Sequence, residues 1–527
     1  MTVREIAASP AALAAHAALN DTFADYPPQP VGALFARQAA QRPQHPAICC
    51  GQRVITYGEL HDAAHRLAHT LLHHGVTPGE VIAVAIPRSP EMITAALAIL
   101  LCGASYLPLD VQWPQRRIRE LLDAAHVRRC IATNAATRSV LPDRTVIDVT
   151  AQPPPAAATC ELPAVPADAI AYINFTSGST GQPKGVPISH RSISRLVFAT
   201  RYVTLTPGVR ILHLAPVTFD AATFEIWGPL LRGGVCVIYP DPFIKVVKLG
   251  RIIATHRVEV VFVTTALFNT IVDDAPEIFD RVDTILTGGE AHSIRHMRRA
   301  LQRYGPGRIV SVYGPTESTT FATYYPINRL AADTFTVPIG TPIQNTRAYL
   351  IDDGRLCAPG DIGALHLAGP GLTPGYLGLP ERTTTDFNNV RIGDTGERLY
   401  HTGDLAYLDP NGQLVFCGRS DDQLKINGFR IELGEIRHHI EAITAVRATY
   451  VTVYEPCPGQ RALAAFIVAH SPDLAAGLAN TVHKHLAAHL PAYMIPKMLA
   501  VVDELPLGDT GKISRTALLT PTATAET

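Results

Sequence analysis

The chain has 527 residues, with 45 lysines and arginines against 46 acidic residues and a formal net charge of −1. Its 47% hydrophobic and 17% charged content is that of a folded enzyme of several subdomains, and the balanced charge gives no draw to nucleic acid or to an acidic membrane surface. The nine cysteines are scattered and never spaced C-x-x-C, and the alanine-rich start shows no signal peptide; together these predict reduced thiols and a cytoplasmic location.

Residues 1–29 read as an N-terminal tail. "VIAVAIP" (81–87) predicts a strand and "ITAALAILLC" (93–102) a buried helix of a βαβ unit, with Pro90 near its first turn. That apolar run is far too short to span a bilayer. "HHGVTPG" (73–79) reads as a helix end and a turn, and "PPPAAATCELPAVP" (153–166) as a connector. "AIAYINF" (169–175) alternates and predicts a strand.

Next comes "TSGSTGQPKG" (176–185), with four hydroxyls, three glycines, one proline and one lysine. "VPISHRSISRLVFAT" (186–200) reads as a strand end and then a helix. A short glycine-rich turn between a strand and a helix lets backbone N–H groups converge on an anion, hydroxyls donate, and lysine adds a mobile charge. The segment is therefore expected to grip phosphate. It is not a Walker A loop, because Lys184 lies between Pro183 and Gly185.

"RVEVVFVTT" (257–265) and "RVDTILTGGE" (281–290) continue an alternation of strands and helices, the mark of layered α/β structure. Between 340 and 417 short strands and turns predict a β-rich subdomain. The expected fold class is thus α/β: a large core domain, 30–417, and a small mobile α+β domain, 418–527. In the latter, "LGEIRHHIEAI" and "AAGLANTVHKHLAAHL" read as helices and "ATYVTVYE" and "ALAAFIVAH" as strands. The 21 histidines show no H-E-x-x-H or similar spacing and read as surface and core residues without a zinc site.

In order, the chain carries "ITYGEL" (55–60), "LLCGASYLPLD" (100–110), "FTSGSTGQPKG" (175–185), "FDAATFE" (219–225), "VYGPTE" (312–317), "GALHLAGPGLTPGYLGLPERT" (363–383), "YHTGDL" (400–405), "GRSDDQLKINGFRIELGEI" (418–436), "LPAYMIP" (490–496) and "TGKISR" (510–515). The series closely resembles the adenylation domain of nonribosomal peptide synthetases, within the superfamily that includes acyl-CoA synthetases and luciferases. The resemblance implies a two-step reaction. An amino-acid carboxylate displaces pyrophosphate from Mg2+·ATP, and the aminoacyl-adenylate then passes its acyl group to a phosphopantetheine thiol. Such a displacement needs positioning and charge stabilisation more than covalent help.

The resemblance assigns Thr176, Ser177, Gly178, Ser179, Thr180 and Lys184 to the β- and γ-phosphates. It assigns Glu317 to magnesium, for which carboxylate oxygen is a suitable ligand. Thr316 goes to the α-phosphate, Tyr313 to stacking on adenine, Asp404 to the ribose hydroxyls and Gly289 to nucleotide binding. Arg419 and Lys425 are assigned to ribose or phosphate, Asp421 to a hinge for a swing of the residues beyond 418, and Lys512 to the substrate carboxylate and α-phosphate, as the catalytic cation.

Asp220 matches the family's partner for the substrate α-ammonium, since a buried charge must be paired. The remaining specificity positions are Ala221, Phe224, Phe262, Leu286, Gly288, Val312, Thr320 and Phe321. This wall is apolar apart from one hydroxyl and is expected to take a branched or short aliphatic amino acid, valine or isoleucine first. Expected partners are a carrier protein in trans, from a free-standing enzyme, and an MbtH-like helper. Departures from the usual pattern include His401, Ala364, Thr373-Pro374, Thr510 and Ser514, and Ser311 where an adenine-binding Asn is common. The rival readings are an acyl- or aryl-CoA ligase, which Asp220 speaks against, and a silent nucleotide-binding scaffold, against which Lys512 and the glycine loop stand.

Overall fold

The computed structural model describes residues 4–133, 141, 143–149, 161–178, 182–420, 423–426, 428–457, 460–506, 513 and 515–519. The chain falls into two compact units. The first comprises Met1–Val111, Leu122–Phe175 and Gly185–Asp421, and the second Gln112–Leu121, Thr176–Lys184 and Asp422–Thr527.

The first unit is layered. A nine-stranded sheet runs in the order Thr341–Pro342, Thr323–Pro326, Ile309–Tyr313, Thr284–Gly288, Val260–Thr264, Arg210–His213, Val235–Ile238, Pro46–Cys50, Arg53–Thr56. Its middle pairs are parallel and its two ends antiparallel. The middle strands are continuous apolar runs such as "VVFVT", as expected where both faces of a sheet are covered. The helix Ala221–Arg232 is buried along almost its whole length, places Phe224 and Trp227 in the core, and ends at Gly233 with a φ of 76°. The expected pairing of strand and buried helix is present as Val81–Ala85 and Pro90–Leu101, with proline at the first turn and Ser89 accepting from Met92 N.

A seven-stranded, mostly antiparallel sheet fills the β-rich region, around the long strand Thr395–Leu408. Residues 4–19, expected as part of a tail, add structure to it. Arg4–Ile6 pairs with Phe387–Ile392, the helix Pro10–Leu19 follows, and the Asn20 side chain bonds both Ala348 O and Ala348 N.

The order read from the sequence around the glycine loop, a strand, the loop, a strand end and then a helix, is present. The glycine loop joins the strand Ile170–Thr176 to a second strand, Lys184–Ser189, and the helix His190–Val197 begins only after that. Among the described residues no helix begins at the loop, so an anion there would rest on backbone N–H groups, hydroxyls and lysine without a helix dipole. The six-residue strand "KGVPIS" is buried nearly throughout, which its apolar Val186 and Ile188 dictate.

The imidazole of His190 is fully buried, and its Nδ1 accepts from Val31 N at 3.2 Å, at the start of the helix Val31–Gln41. Burial pushes its pKa down to about 4. Because the folded value lies below the ordinary 6.5, the unfolded chain binds the proton more readily as the pH falls between them. This contribution is therefore intact above pH 6.5 and is lost as pH falls toward 4, by roughly 3 kcal/mol. Urea unfolding at a series of pH values should show a shallower decline over that window for His190→Gln than for the natural chain. Parallel declines would contradict a neutral buried imidazole.

The second unit, from 422 on, is built from the hairpin Gln423–Ile426/Phe429–Glu432, the helices Leu433–Glu441 and Leu478–His489, and a three-stranded sheet. Ile431, Ile436, Ile440, Leu463, Val482 and Leu486 form its core. The second helix starts later than its sequence pattern suggests, because Gly477 before it takes a φ of 77°.

Candidate active site

Asp220 stands at the start of the helix Ala221–Arg232, yet its side chain makes no cap hydrogen bond. Instead its Oδ2 accepts from the Thr316 hydroxyl at 2.8 Å. The Thr320 hydroxyl donates to the Asp220 carbonyl at 2.8 Å. The one hydroxyl of the expected specificity wall is thus committed to the backbone, and what the wall presents is apolar.

Phe224, Phe262 and Phe321 meet there. Ring centroids are 5.5 Å apart for Phe224–Phe321 and 5.6 Å for Phe262–Phe321. Ala221, Leu286 and Val312 are buried in the same core cluster. Gly288 has a structural duty as well: a Cβ on it would lie 2.0 Å from Val312 O on the neighbouring strand. Tyr202, which sequence reading missed, packs on Phe224 and Phe321 at 5.9 and 5.6 Å, with its hydroxyl tied to Leu196 O.

The segment carrying Thr320 and Phe321 is strained. Thr319 and Thr320 have φ of 55° and 67°, rare for β-branched residues. Arg195, wholly buried, holds this turn by donating to Phe321 O at 2.8 Å and Ser318 O at 3.0 Å. Burial lowers its pKa to about 10, so it remains a cation. No sequence motif pointed to it.

Glu317 is fully buried, and its Oε1 accepts from the Tyr376 hydroxyl at 2.9 Å. Tyr376 lies 3.1 Å from Asp386 Oδ2, which Arg382 also contacts at 2.8 Å. Tyr376 belongs to the quoted "PGYLG" stretch, but nothing in its spacing announced a partner 59 positions away.

A third group joins Tyr313, Asp404 and Arg419. The Tyr313 hydroxyl donates to Asp404 Oδ2 and Arg419 pairs with Oδ1. Burial, then the Asp404 charge, raises the Tyr313 pKa well above 10, so it stays a donor. Each Asp404 oxygen has a second lone pair with which to accept a further hydroxyl. Gly289, with a φ of 94°, follows the strand Thr284–Gly288. Nearby, His292 Nε2 lies 3.0 Å from the Ser311 hydroxyl; burial lowers the His292 pKa to about 4, leaving it neutral.

Within the second unit, the Ser177 hydroxyl donates to Arg430 O at 2.9 Å and accepts from Glu432 N at 3.2 Å. Thr176 Oγ1 is buried with no hydrogen-bond partner among the described residues. A Cβ on Gly178 would fall 1.9 Å from Gln182 O, so the tight loop requires glycine. Lys184 is buried at the loop's far end. Lys425 is placed by its backbone, opposite Arg430 in the hairpin. Ser179, Thr180, Asp421 and Lys512 lie outside the described residues.

The model of the AMP-binding enzyme family matches residues 35–377, and that of the AMP-binding enzyme C-terminal domain matches 439–512. The chain belongs to the AMP-binding enzyme family. This places it among ATP-dependent, AMP-forming ligases, and its relatives are adenylation domains of nonribosomal peptide synthesis. It is 39% identical over 515 residues to bacitracin synthase 1 of Bacillus licheniformis, covering 96% of this chain but only 10% of that protein. The solved structure of holo-PA1221, described as a nonribosomal peptide synthetase protein containing adenylation and PCP domains, superposes with a TM-score of 0.85 at 34% identity, covering 94% of this chain and 84% of that one. An artificially fused adenylation–PCP di-domain, NpsA-ThdA from Klebsiella oxytoca, gives 0.82 at 30% identity, covering 90% and 94%. The adenylation domain has the fold the alternating pattern predicted, layered α/β with a smaller α+β part. Among its described residues no helix is long and apolar enough to cross a membrane.

Proposed function

We propose that this adenylation domain converts a branched or short aliphatic α-amino acid, valine- or isoleucine-like, and ATP into aminoacyl-AMP, then passes the acyl group to a carrier-protein phosphopantetheine. The observation that carries the substrate reading is Asp220: an acid held by Thr316, next to a wall whose sole hydroxyl already serves the Asp220 carbonyl. A carboxylate there pairs an α-ammonium, and the phenylalanine cluster admits only an uncharged, compact side chain. Discrimination among aliphatics is soft, because one methylene in an apolar pocket is worth only about 1–3 kcal/mol.

The nucleotide assignments fit the donors present. The Thr176 hydroxyl, without a hydrogen-bond partner among the described residues, and the glycine-dependent turn suit phosphate oxygens, and Lys184 adds a cation. Asp404 accepts the ribose hydroxyls with its remaining lone pairs, while Tyr313 and Arg419 hold its orientation. Magnesium, held by Glu317, would neutralise phosphate charge when bound. In this structure that carboxylate is braced by Tyr376, which fixes its direction. Thr316 is oriented by Asp220, so the proposed α-phosphate contact and the amine contact are coupled through one hydroxyl. The carrier reading draws support from PA1221 and NpsA-ThdA, whose descriptions join adenylation and PCP domains.

A second reading, an aryl acid as substrate, has a neighbour behind it: NpsA is described in complex with 3-hydroxyanthranilyl-AMSN, at 29% identity. Asp220 beside the crowded phenylalanines favours the aliphatic amino acid. ATP–pyrophosphate exchange across a panel of aliphatic, aromatic, aryl and charged acids decides between them. Aliphatic α-amino acids should lead; a clear win for an aryl or charged acid overturns the substrate reading. Transfer is read by adding a separate holo-carrier or coenzyme A to preformed adenylate; preference for coenzyme A would overturn the carrier.

A further inference from the structure

Three imidazoles converge in the second unit. His439 lies in the last turn of the helix Leu433–Glu441, and His485 and His489 lie one turn apart on Leu478–His489. One ring nitrogen from each lies within 4.8 Å of the other two. Ring centroids are separated by 4.1 Å for His485–His489, 5.2 Å for His439–His489 and 6.2 Å for His439–His485. Among the described residues this is the one cluster of three or more potential metal-ligating side chains so arranged.

Two details prepare the rings for a Lewis acid. His489 Nδ1 lies 2.7 Å from His485 O. A carbonyl can only accept, so Nδ1 carries the proton and Nε2 presents its lone pair, the arrangement that orients metal-bound histidines. His485 Nε2 is buried without any hydrogen-bond partner among the described residues. The charges bearing on the cluster are Arg117 and Arg116, but Arg117 is paired with Glu435 at 2.8 Å and Arg116 with Glu120 at 3.2 Å.

We propose that His439, His485 and His489 form a site for a borderline transition-metal dication, Zn2+ foremost, that cross-links the two helices. Three imidazoles and a water match the preferred donors and coordination number of zinc, whereas hard Mg2+ and Ca2+ select oxygen. Metal–nitrogen distances of about 2.0–2.1 Å require the three nitrogens to draw together, a movement that side-chain rotation supplies. The site is independent of the adenylation reading. It also reverses the expectation of no zinc site, because the third ligand lies on a helix distant in sequence from the other two.

The test uses the full, untagged chain, stripped with a chelator and titrated calorimetrically with ZnCl2, with the visible absorption of a Co2+ substitute as a second readout. One saturable site per chain is expected, with a tetrahedral cobalt spectrum. His439→Gln and His489→Gln should each weaken binding by at least the ~10–100-fold that loss of an outer-sphere partner costs. The competing histidine series on the helix Tyr57–His73, where His61 and His65 rings lie 4.1 Å apart, serves as control: the double variant His61→Gln/His65→Gln should bind normally. Absence of saturable binding, or binding that survives His439→Gln and His489→Gln but is lost in the control, overturns the site. Unfolding temperatures in chelator are compared throughout. If His489→Gln fails to fold, His439→Gln and His485→Gln, at half-buried positions, decide the outcome.

Discussion

Asp220→Ala should reduce amino-acid-dependent ATP–pyrophosphate exchange by about 30- to 5,000-fold, the equivalent of the about 2–5 kcal/mol lost when one partner of a desolvated, hydrogen-bonded charge pair is removed. The loss should fall on the amino acid. Its KM should rise while that of ATP changes little, because Asp220 is assigned to the ammonium. Asp220→Asn separates charge from shape. An amide oxygen can still accept from Thr316, preserving the 2.8 Å bond, but it cannot neutralise an ammonium. Asn should therefore fall close to Ala in exchange while keeping the natural unfolding temperature. Asp220 is only half-buried and makes no cap bond to its helix, so neither variant should destabilise the fold severely. Natural exchange rates in both variants, with the aliphatic preference intact, would remove the residue from substrate recognition.

Much of this was legible in the chain. The strand Ile170–Thr176 announces itself by alternation, and Val260–Thr264 and Thr284–Gly288 as apolar runs whose parallel pairing with each other follows from the helix between them. What eluded sequence reading was long-range satisfaction of polar groups. That Thr320 spends its hydroxyl on Asp220 O, that Tyr376 braces Glu317, and that Arg195 holds the turn at 318–321 through carbonyls depend on chain segments far apart in sequence, and periodicity carries no information about them. The glycine loop shows the same limit. Its composition signalled an anion site and its flanks a strand end and then a helix, but the length of that strand, Lys184–Ser189, which sets the helix six residues beyond the loop, was not legible locally. His439, His485 and His489 were invisible for a related reason: two of them share a helical face at a spacing of four, and only the packing of a second helix brings the third.

The other large effect concerns Lys512. Lys512→Ala is expected to lower the rate of adenylate formation by about 10²–10³-fold, the scale on which removal of one preorganised donor to developing charge acts. Lys512 lies outside the described residues. When a carboxylate attacks the α-phosphate, negative charge accumulates on oxygens that the ground state holds less tightly. A cation aimed there binds the transition state more strongly than the substrates, and its removal lowers kcat while leaving ATP affinity nearly unchanged. Lys184 provides the contrast. A cation that grips the outer phosphates in both states contributes uniform binding, so Lys184→Ala should act mainly on the KM for ATP. Lys512→Arg keeps the charge on a longer, planar fork and should recover part of the rate without restoring it. Pre-steady-state adenylate formation under saturating ATP distinguishes these outcomes. A Lys512→Ala enzyme with a natural rate constant would exclude the tail lysine from the chemical step, and one impaired solely in ATP binding would make it another phosphate anchor.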